Sequence, residues 1–224
     1  MDISAYTETL DNGLDVILIP YSDKKNYYMT YATRYGSEDT NFTPAGSDKE
    51  IKVPDGIAHF LEHKMFEQED GKDPFSFFGE RGSDANANTN NFKTTYLFSG
   101  PEFFEDNMNY LLDYVQSPYF TDEKKKKKKG IIEQEIKMYQ DDPYTMMYER
   151  LLKNSLINNP MKDPIIGTIE SVKSITKEEL YTCYNNFYSP NNMFLLVVGN
   201  FDVDEAGKII HQQMDKVKNK GKPN

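Results

Sequence analysis

Two of the three histidines in this 224-residue chain, His59 and His63, stand four positions apart with Glu62 between them, in the stretch "AHFLEHKMF". The apolar residues Ile57, Phe60, Leu61 and Met65 recur around them at three- and four-residue spacing, which predicts a helix. Residues one helical turn apart share a face, so both imidazoles can reach one small cation. Imidazole and carboxylate ligands suit zinc, and a catalytic zinc keeps three protein ligands and one open position for water. Glu62 follows His59 by three and touches His63 in sequence. It can stand beside such an ion without ligating it and take a proton from the water.

A third ligand has to come from elsewhere in the chain. The stretch "GIIEQEIKMYQDDPY" offers Glu133 and Glu135 on a predicted helix whose inward face is marked by Ile131 and Met138. Both glutamates lie far downstream of His63, and spacing does not choose between them. A closed structural zinc site fits poorly, because it usually takes four protein ligands, often thiolates, and the chain has one cysteine. That residue, Cys183, lies in the aromatic-rich "LYTCYNNFY" and reads as a packed thiol rather than a nucleophile.

The elements that must position these groups follow from periodicity and turn signals. "YTETLDNGLDVILIP" places Asn12-Gly13 between two extended runs and predicts a hairpin over Tyr6 to Pro20. A strand is expected from Tyr27 towards Ser37, then a polar loop over Glu38 to Pro54. After the histidine helix, Asp73 before Pro74 predicts the start of a short helix ending near Gly82. Over Ser83 to Ser99 the second half alternates and reads as a strand with an accessible edge. Helices are expected over the "FFEDNMNYLLDYVQ" region, from about Thr121 to Met138, and from about Tyr144 to Leu156. Ser174 or Thr176 caps the next helix, with Glu179 completing a capping box if Thr176 is the cap. An apolar strand, "NMFLLVVGNFD", and an amphipathic helix, "VDEAGKIIHQQMDKV", close the pattern. No glycine fingerprint follows a strand, so the class is α+β rather than a doubly wound parallel sheet. Residues 1–217 are expected to form the domain and 218–224 a polar tail or linker.

Composition bounds the partners. Hydrophobic residues make up 38% and charged residues 28%, with a mean hydropathy of −0.74, as in a folded chain with a polar surface. A net charge of −10 argues against a nucleic-acid backbone as partner. No apolar run reaches membrane-spanning length, so no membrane is expected. With one cysteine and no secretory signal pattern at the start, the expected location is the cytoplasm.

Taken together, "GIAHFLEHKMF", "GSDANANTNNFKTTYLFSG", "GIIEQEIKMYQDDP" and "PIIGTIESVKSITKEELYTCYNNFYSPNNMFLLVVGNFD" resemble, in this order, the pitrilysin/insulinase (M16) family of zinc peptidases, near its bacterial processing-peptidase-like members. The first carries the inverted H-x-x-E-H motif. The resemblance implies a mainly antiparallel sheet covered by helices on one face and zinc-dependent hydrolysis of peptides or small unfolded proteins. It implies His59, His63 and Glu135 as zinc ligands, with Glu133 the alternative, and Glu62 as general base. It also implies that Asn86, Ala87 and Thr89 belong to an edge strand on which an extended peptide lies by strand addition. Family members carry a supporting glutamate seven residues before the distal ligand, where this chain has Lys128 within the run Lys124 to Lys129, a run that reads as a solvated helix face. Family members also build the site from two homologous halves, and this chain matches about one. The expected partner is therefore a homologous C-terminal half or subunit, and the alternative function is a noncatalytic peptide-binding or partner-supporting subunit.

Overall fold

The computed structural model describes residues 4–221 and 223, with the side chains of 122–128 outside the description. Strands β1 (Tyr6–Thr9) and β2 (Asp15–Pro20) form the expected hairpin, and β3 (Tyr27–Thr33) follows. The stretch expected to be loop contains a two-residue ladder, β4 (Asn41–Phe42) with β5 (Ile51–Lys52). It is too short to show in any periodicity. Helices α1 (Ile57–Met65) and α2 (Pro74–Gly79) come next, the latter capped as predicted by Asp73, whose carboxylate accepts from the backbone N–H groups of Phe75 and Ser76.

The stretch read as one strand is a hairpin of two, β6 (Asp84–Thr89) and β7 (Thr94–Gly100). The first, "DANANT", has weak β-propensity, and its strand geometry comes from pairing with β7. The turn is set by Asn90, whose side-chain oxygen accepts from the N–H groups of Phe92 and Lys93. Then come α3 (Phe104–Gln116), α4 (Asp122–Asp141), α5 (Pro143–Ser155), the short α6 (Ile169–Ser174), α7 (Lys177–Phe187), β8 (Met193–Gly199) and α8 (Val203–Met214). Thr176 is the cap of α7, and Glu179 completes the capping box. α6, unforeseen, carries its own reciprocal cap between Thr168 and Ser171.

Six strands form one sheet in the order β1-β2-β8-β3-β7-β6. Only β2 and β8 run parallel, so the sheet is mainly antiparallel and the class α+β, as expected. One face carries Val16, Leu18, Leu195, Val197, Met29, Tyr31, Tyr96 and Phe98, all buried beneath the helices. The other face is less covered: Tyr28 is exposed, and Phe194, Leu196 and Val198 are half-buried. Burying a large apolar side chain contributes about 1.5–3 kcal/mol. Phe60, Leu61 and Met65 of α1, all without exposed surface, thereby hold that helix against the core. Cys183 is buried, and burial pushes its thiol up to about 12, which suits the packed role.

Beyond α8 the chain turns back. Ser189 donates its hydroxyl to the Asn219 side chain and accepts from the backbone N–H of Lys220.

Candidate metal centre

α1 enters from Gly56, whose φ of 83° lies in the left-handed region. A Cβ there would meet the Ile166 carbonyl oxygen at 2.4 Å, so glycine lets the segment before α6 lie directly against the start of α1. One face of α1 is then committed to the core. The other holds His59, Glu62 and His63.

The two imidazoles face each other with Nε2 atoms 3.2 Å apart. Glu135 on α4 completes the group, one carboxylate oxygen 3.7 Å from His59 Nε2 and the other 3.4 Å from His63 Nε2. The three side chains offer ligand atoms all within 4.8 Å of one another, the one such cluster of His, Cys, Asp and Glu found among the described residues. Two imidazoles and a carboxylate converging this closely need a shared proton or a cation between them. Ligand bonds of 2.0–2.1 Å in a tetrahedron put neighbouring ligand atoms roughly 3.3 Å apart, so the observed separations fit zinc.

Electrostatics agree with that fit. Burial, and then the neighbouring His63, push the His59 imidazole down to about 4, against the pull of Glu135, so it is neutral and able to ligate near pH 7. The His63 hydrogen bond holds the Glu135 carboxyl below its usual range, with burial opposing. His59 Nδ1 is buried with no hydrogen-bond partner among the described residues, and Nε2 is the nitrogen that faces the cluster.

The choice between the two glutamates is made by the rotation of α4. Among its described side chains Ile132 and Ile136 are buried, whereas Ile131 is 48% and Met138 60% exposed, which corrects the expected inward face. At 3.6 residues per turn, Glu133 and Glu135 lie about 80° to either side of that buried seam. Glu135 reaches the imidazoles, and Glu133 faces Lys173 at 3.7 Å. The expectation at Lys128 lies outside the described side chains. Lys129, the last of the run, is half-buried rather than solvated, and its ammonium donates to the carbonyl oxygens of Lys173 and Ile175. The third histidine, His211, is remote from the cluster and pairs with Glu8 at 3.1 Å.

Glu62 is buried beside the cluster and accepts a 2.8 Å hydrogen bond from the Thr89 hydroxyl. That link was invisible in the sequence, as was the ion pair of the buried Lys64 with the half-buried Glu67. β6 is an edge strand, paired only with β7. Along it Ala85, Ala87 and Thr89 turn inward while Asn86 and Asn88 are exposed. The Ala87 N–H is held by the side-chain oxygen of Asn86 at 2.8 Å. A cavity of about 370 Å³ is walled by the three ligand candidates, Glu62, Phe75 and β6.

Comparison with known proteins agrees with this architecture. The family model described as "Insulinase (Peptidase family M16)" matches residues 42–169, and that of "Peptidase M16 inactive domain" matches residues 174–224. The chain is 44% identical over 211 residues to the "Uncharacterized zinc protease YmfH" of Bacillus subtilis (strain 168), covering 94% of this chain and 49% of that protein. It is 29% identical to the "Probable zinc protease PqqL" of Escherichia coli (strain K12), covering 96% of this chain and 23% of that protein. Among solved structures, an M16-like peptidase from Alicyclobacillus acidocaldarius superposes with a TM-score of 0.94 at 42% identity, covering all of this chain and 52% of that one. Periplasmic PqqL superposes with a TM-score of 0.83 at 26% identity, covering all of this chain and 25% of that one. The chain thus spans about half the length, or less, of the relatives it matches, and no described helix is long and apolar enough to cross a membrane. By sequence and by fold, this chain belongs to the insulinase family of peptidases, family M16.

Proposed function

We propose that this chain is the catalytic half of a zinc-dependent metalloendopeptidase that hydrolyses extended peptides or small unfolded proteins. The observation that carries the reading is the convergence of His59, His63 and Glu135 beside a buried Glu62, at the foot of a free sheet edge. His59, His63 and Glu135 would hold zinc, which when bound would supply Lewis acidity towards the scissile carbonyl and the attacking water. Glu62 receives a proton from the water as it attacks and returns it to the leaving amine. Thr89 holds the Glu62 carboxylate in place, so that it faces the site without becoming a ligand. The substrate backbone pairs along Asn86, Ala87 and Thr89 as an added strand, replacing the Asn86 side chain as acceptor for the Ala87 N–H. A reducing, cytoplasmic setting suits the single buried cysteine.

The rival is a noncatalytic subunit that only binds peptide or supports a partner. It is less favoured because the three ligand candidates and the base are all present. Zinc analysis and peptide hydrolysis by the native chain and by Glu62→Gln, each combined with the homologous half, separate the two. Glu62→Gln is nearly isosteric and should keep about one zinc per chain yet lose hydrolysis. Turnover by this variant near the native rate removes Glu62 from the role of base, and zinc without hydrolysis in the native assembly favours the rival.

A further inference from the structure

Asn12-Gly13 is the one Asn-Gly pair in the sequence, and its side chain does more than turn the hairpin. The last carbonyls of a helix find no partner within it. At the end of α8 the carbonyl of Met214, and just beyond it that of Val217, accept from the Asn12 side-chain nitrogen at 2.9 and 3.1 Å. The Asn12 side-chain oxygen accepts from the Leu14 N–H at 3.2 Å, so every polar atom of the side chain is engaged. Beside it the Gly13 N–H donates to the carbonyl of the buried Leu10 at 2.7 Å. Gly13 is fixed in place as well: its φ is 86°, and a Cβ there would meet Asn191 Cβ at 2.7 Å. The pair thus clasps the N-terminal hairpin to the end of α8.

We infer that Asn12 is a deamidation site, shielded while this clasp is closed and unable to close it again once converted. The inference stands apart from the peptidase reading. Asparagine is chemically labile, and a following glycine, lacking a side chain, leaves its backbone nitrogen free to approach the asparagine amide. The Gly13 nitrogen gives its proton to a base in the solvent and bonds to the Asn12 side-chain carbonyl carbon. The bond from that carbon to Nδ2 breaks, and the nitrogen leaves as ammonia with a proton taken from solvent. Water then opens the five-membered imide at either carbonyl, giving aspartate or isoaspartate. One water is consumed and one ammonia released, with no change of oxidation state.

In the folded chain both reacting groups are tied down. The Gly13 nitrogen keeps its proton in the bond to Leu10, and the amide that must leave has both protons held by the end of α8, so attack waits on local opening. Conversion then reverses the chemistry of the contact. A carboxylate only accepts, as do the two carbonyl oxygens it would face, and its charge would stand at the negative end of the α8 dipole. Repulsion replaces two hydrogen bonds. Because α8 buries Ala206, Ile209, Ile210 and Met214, the loosened end is one on which the core depends.

The test incubates the native chain at mildly alkaline pH, folded and in concentrated urea, and follows the peptide carrying Asn12 by mass spectrometry after digestion. Conversion makes that peptide about 1 Da heavier and splits it into two products, aspartate and isoaspartate, that chromatography resolves. It should run at least about tenfold slower in the folded chain than in urea, since the folded rate follows the fraction of molecules that have opened. Met214→Ala loosens the end of α8 and leaves Asn12-Gly13 intact. It should speed conversion of the folded chain by about threefold or more and leave the rate in urea unchanged. Asn12→Asp, which stands for the product, should melt at least about 4 °C below the native chain, the shift expected for two lost hydrogen bonds in a chain of this size. Equal rates in the folded chain and in urea, or no acceleration by Met214→Ala, overturn the shielding. Asn12→Asp melting together with the native chain overturns the clasp.

Discussion

Thr89 donates its hydroxyl to the Glu62 carboxylate at 2.8 Å, joining the end of an edge strand to the one acidic side chain of α1. Thr89 also meets Thr94 at 3.3 Å, and Thr94 donates to the Tyr35 carbonyl, so the contact is anchored in the sheet. A hydrogen bond to a charged acceptor contributes about 1.5–3 kcal/mol. If Glu62 works as the base, Thr89→Val should lower kcat by roughly tenfold or more, at about 1.4 kcal/mol per tenfold, with zinc content unchanged. Thr89→Ser should restore most of the rate. A variant that loses zinc in proportion to rate would show that the contact supports the ligands rather than the base.

Glu133 and Glu135 differ by two positions and should differ greatly in effect. Glu135→Gln removes a charged ligand candidate that faces both imidazoles, whereas Glu133→Gln removes only a partner of Lys173. Zinc affinity, measured by competition with a chromophoric chelator, should fall at least 100-fold for Glu135→Gln and less than threefold for Glu133→Gln, on the scale by which even outer partners of ligands cost 10- to 100-fold. Equal losses would refute the assignment.

The chain spans about half of its relatives, and the His63 and Glu135 side chains at its site keep about a quarter of their surface exposed. If a peptide adds as a strand at β6, only one side of it is oriented, and a water-accessible site forgoes much of the several kcal/mol that fixed orientation contributes. The isolated chain should therefore hydrolyse an unstructured dodecapeptide slowly, and the rate should rise and saturate as its homologous half is added. Full activity alone, with no response to that half, would show that the second half is not needed to complete the site.

Stability should depend on pH through Asp39. Burial pushes its carboxyl up to about 6 despite a 2.8 Å hydrogen bond from the Gly36 N–H, with Glu38 adding to the rise. The folded chain thus holds a proton that the unfolded chain, near 3.8, has released. The stability linked to this proton is fully present below about 3.8 and is lost as pH rises through about 6. Asp39→Asn keeps the acceptor for Gly36 and abolishes the titration. Its melting temperature should gain on that of the native chain between pH 4 and pH 7, in melts followed by circular dichroism, and parallel curves would contradict the assignment.

What the sequence determined by itself was local. The shared face of His59, Glu62 and His63 follows from helical spacing, and Asp73, Thr176 with Glu179, and the Asn12-Gly13 turn set element ends through bonds within a few residues. Such features need no knowledge of what the element packs against. The family motifs carried the longer-range expectation that Glu135 joins the histidines, but the spacing did not.

Only the tertiary structure decided how α4 rolls. The buried seam is Ile132 and Ile136 rather than a face through Ile131 and Met138, and that rotation sends Glu135 to the imidazoles and Glu133 to Lys173. It likewise made a strand of "DANANT", whose ladder bonds come from β7, and brought Thr89 to Glu62 from 27 positions away. Helix rotation, edge pairing and contacts between distant segments are set by the summed packing of the core, and no short stretch of sequence contains that sum.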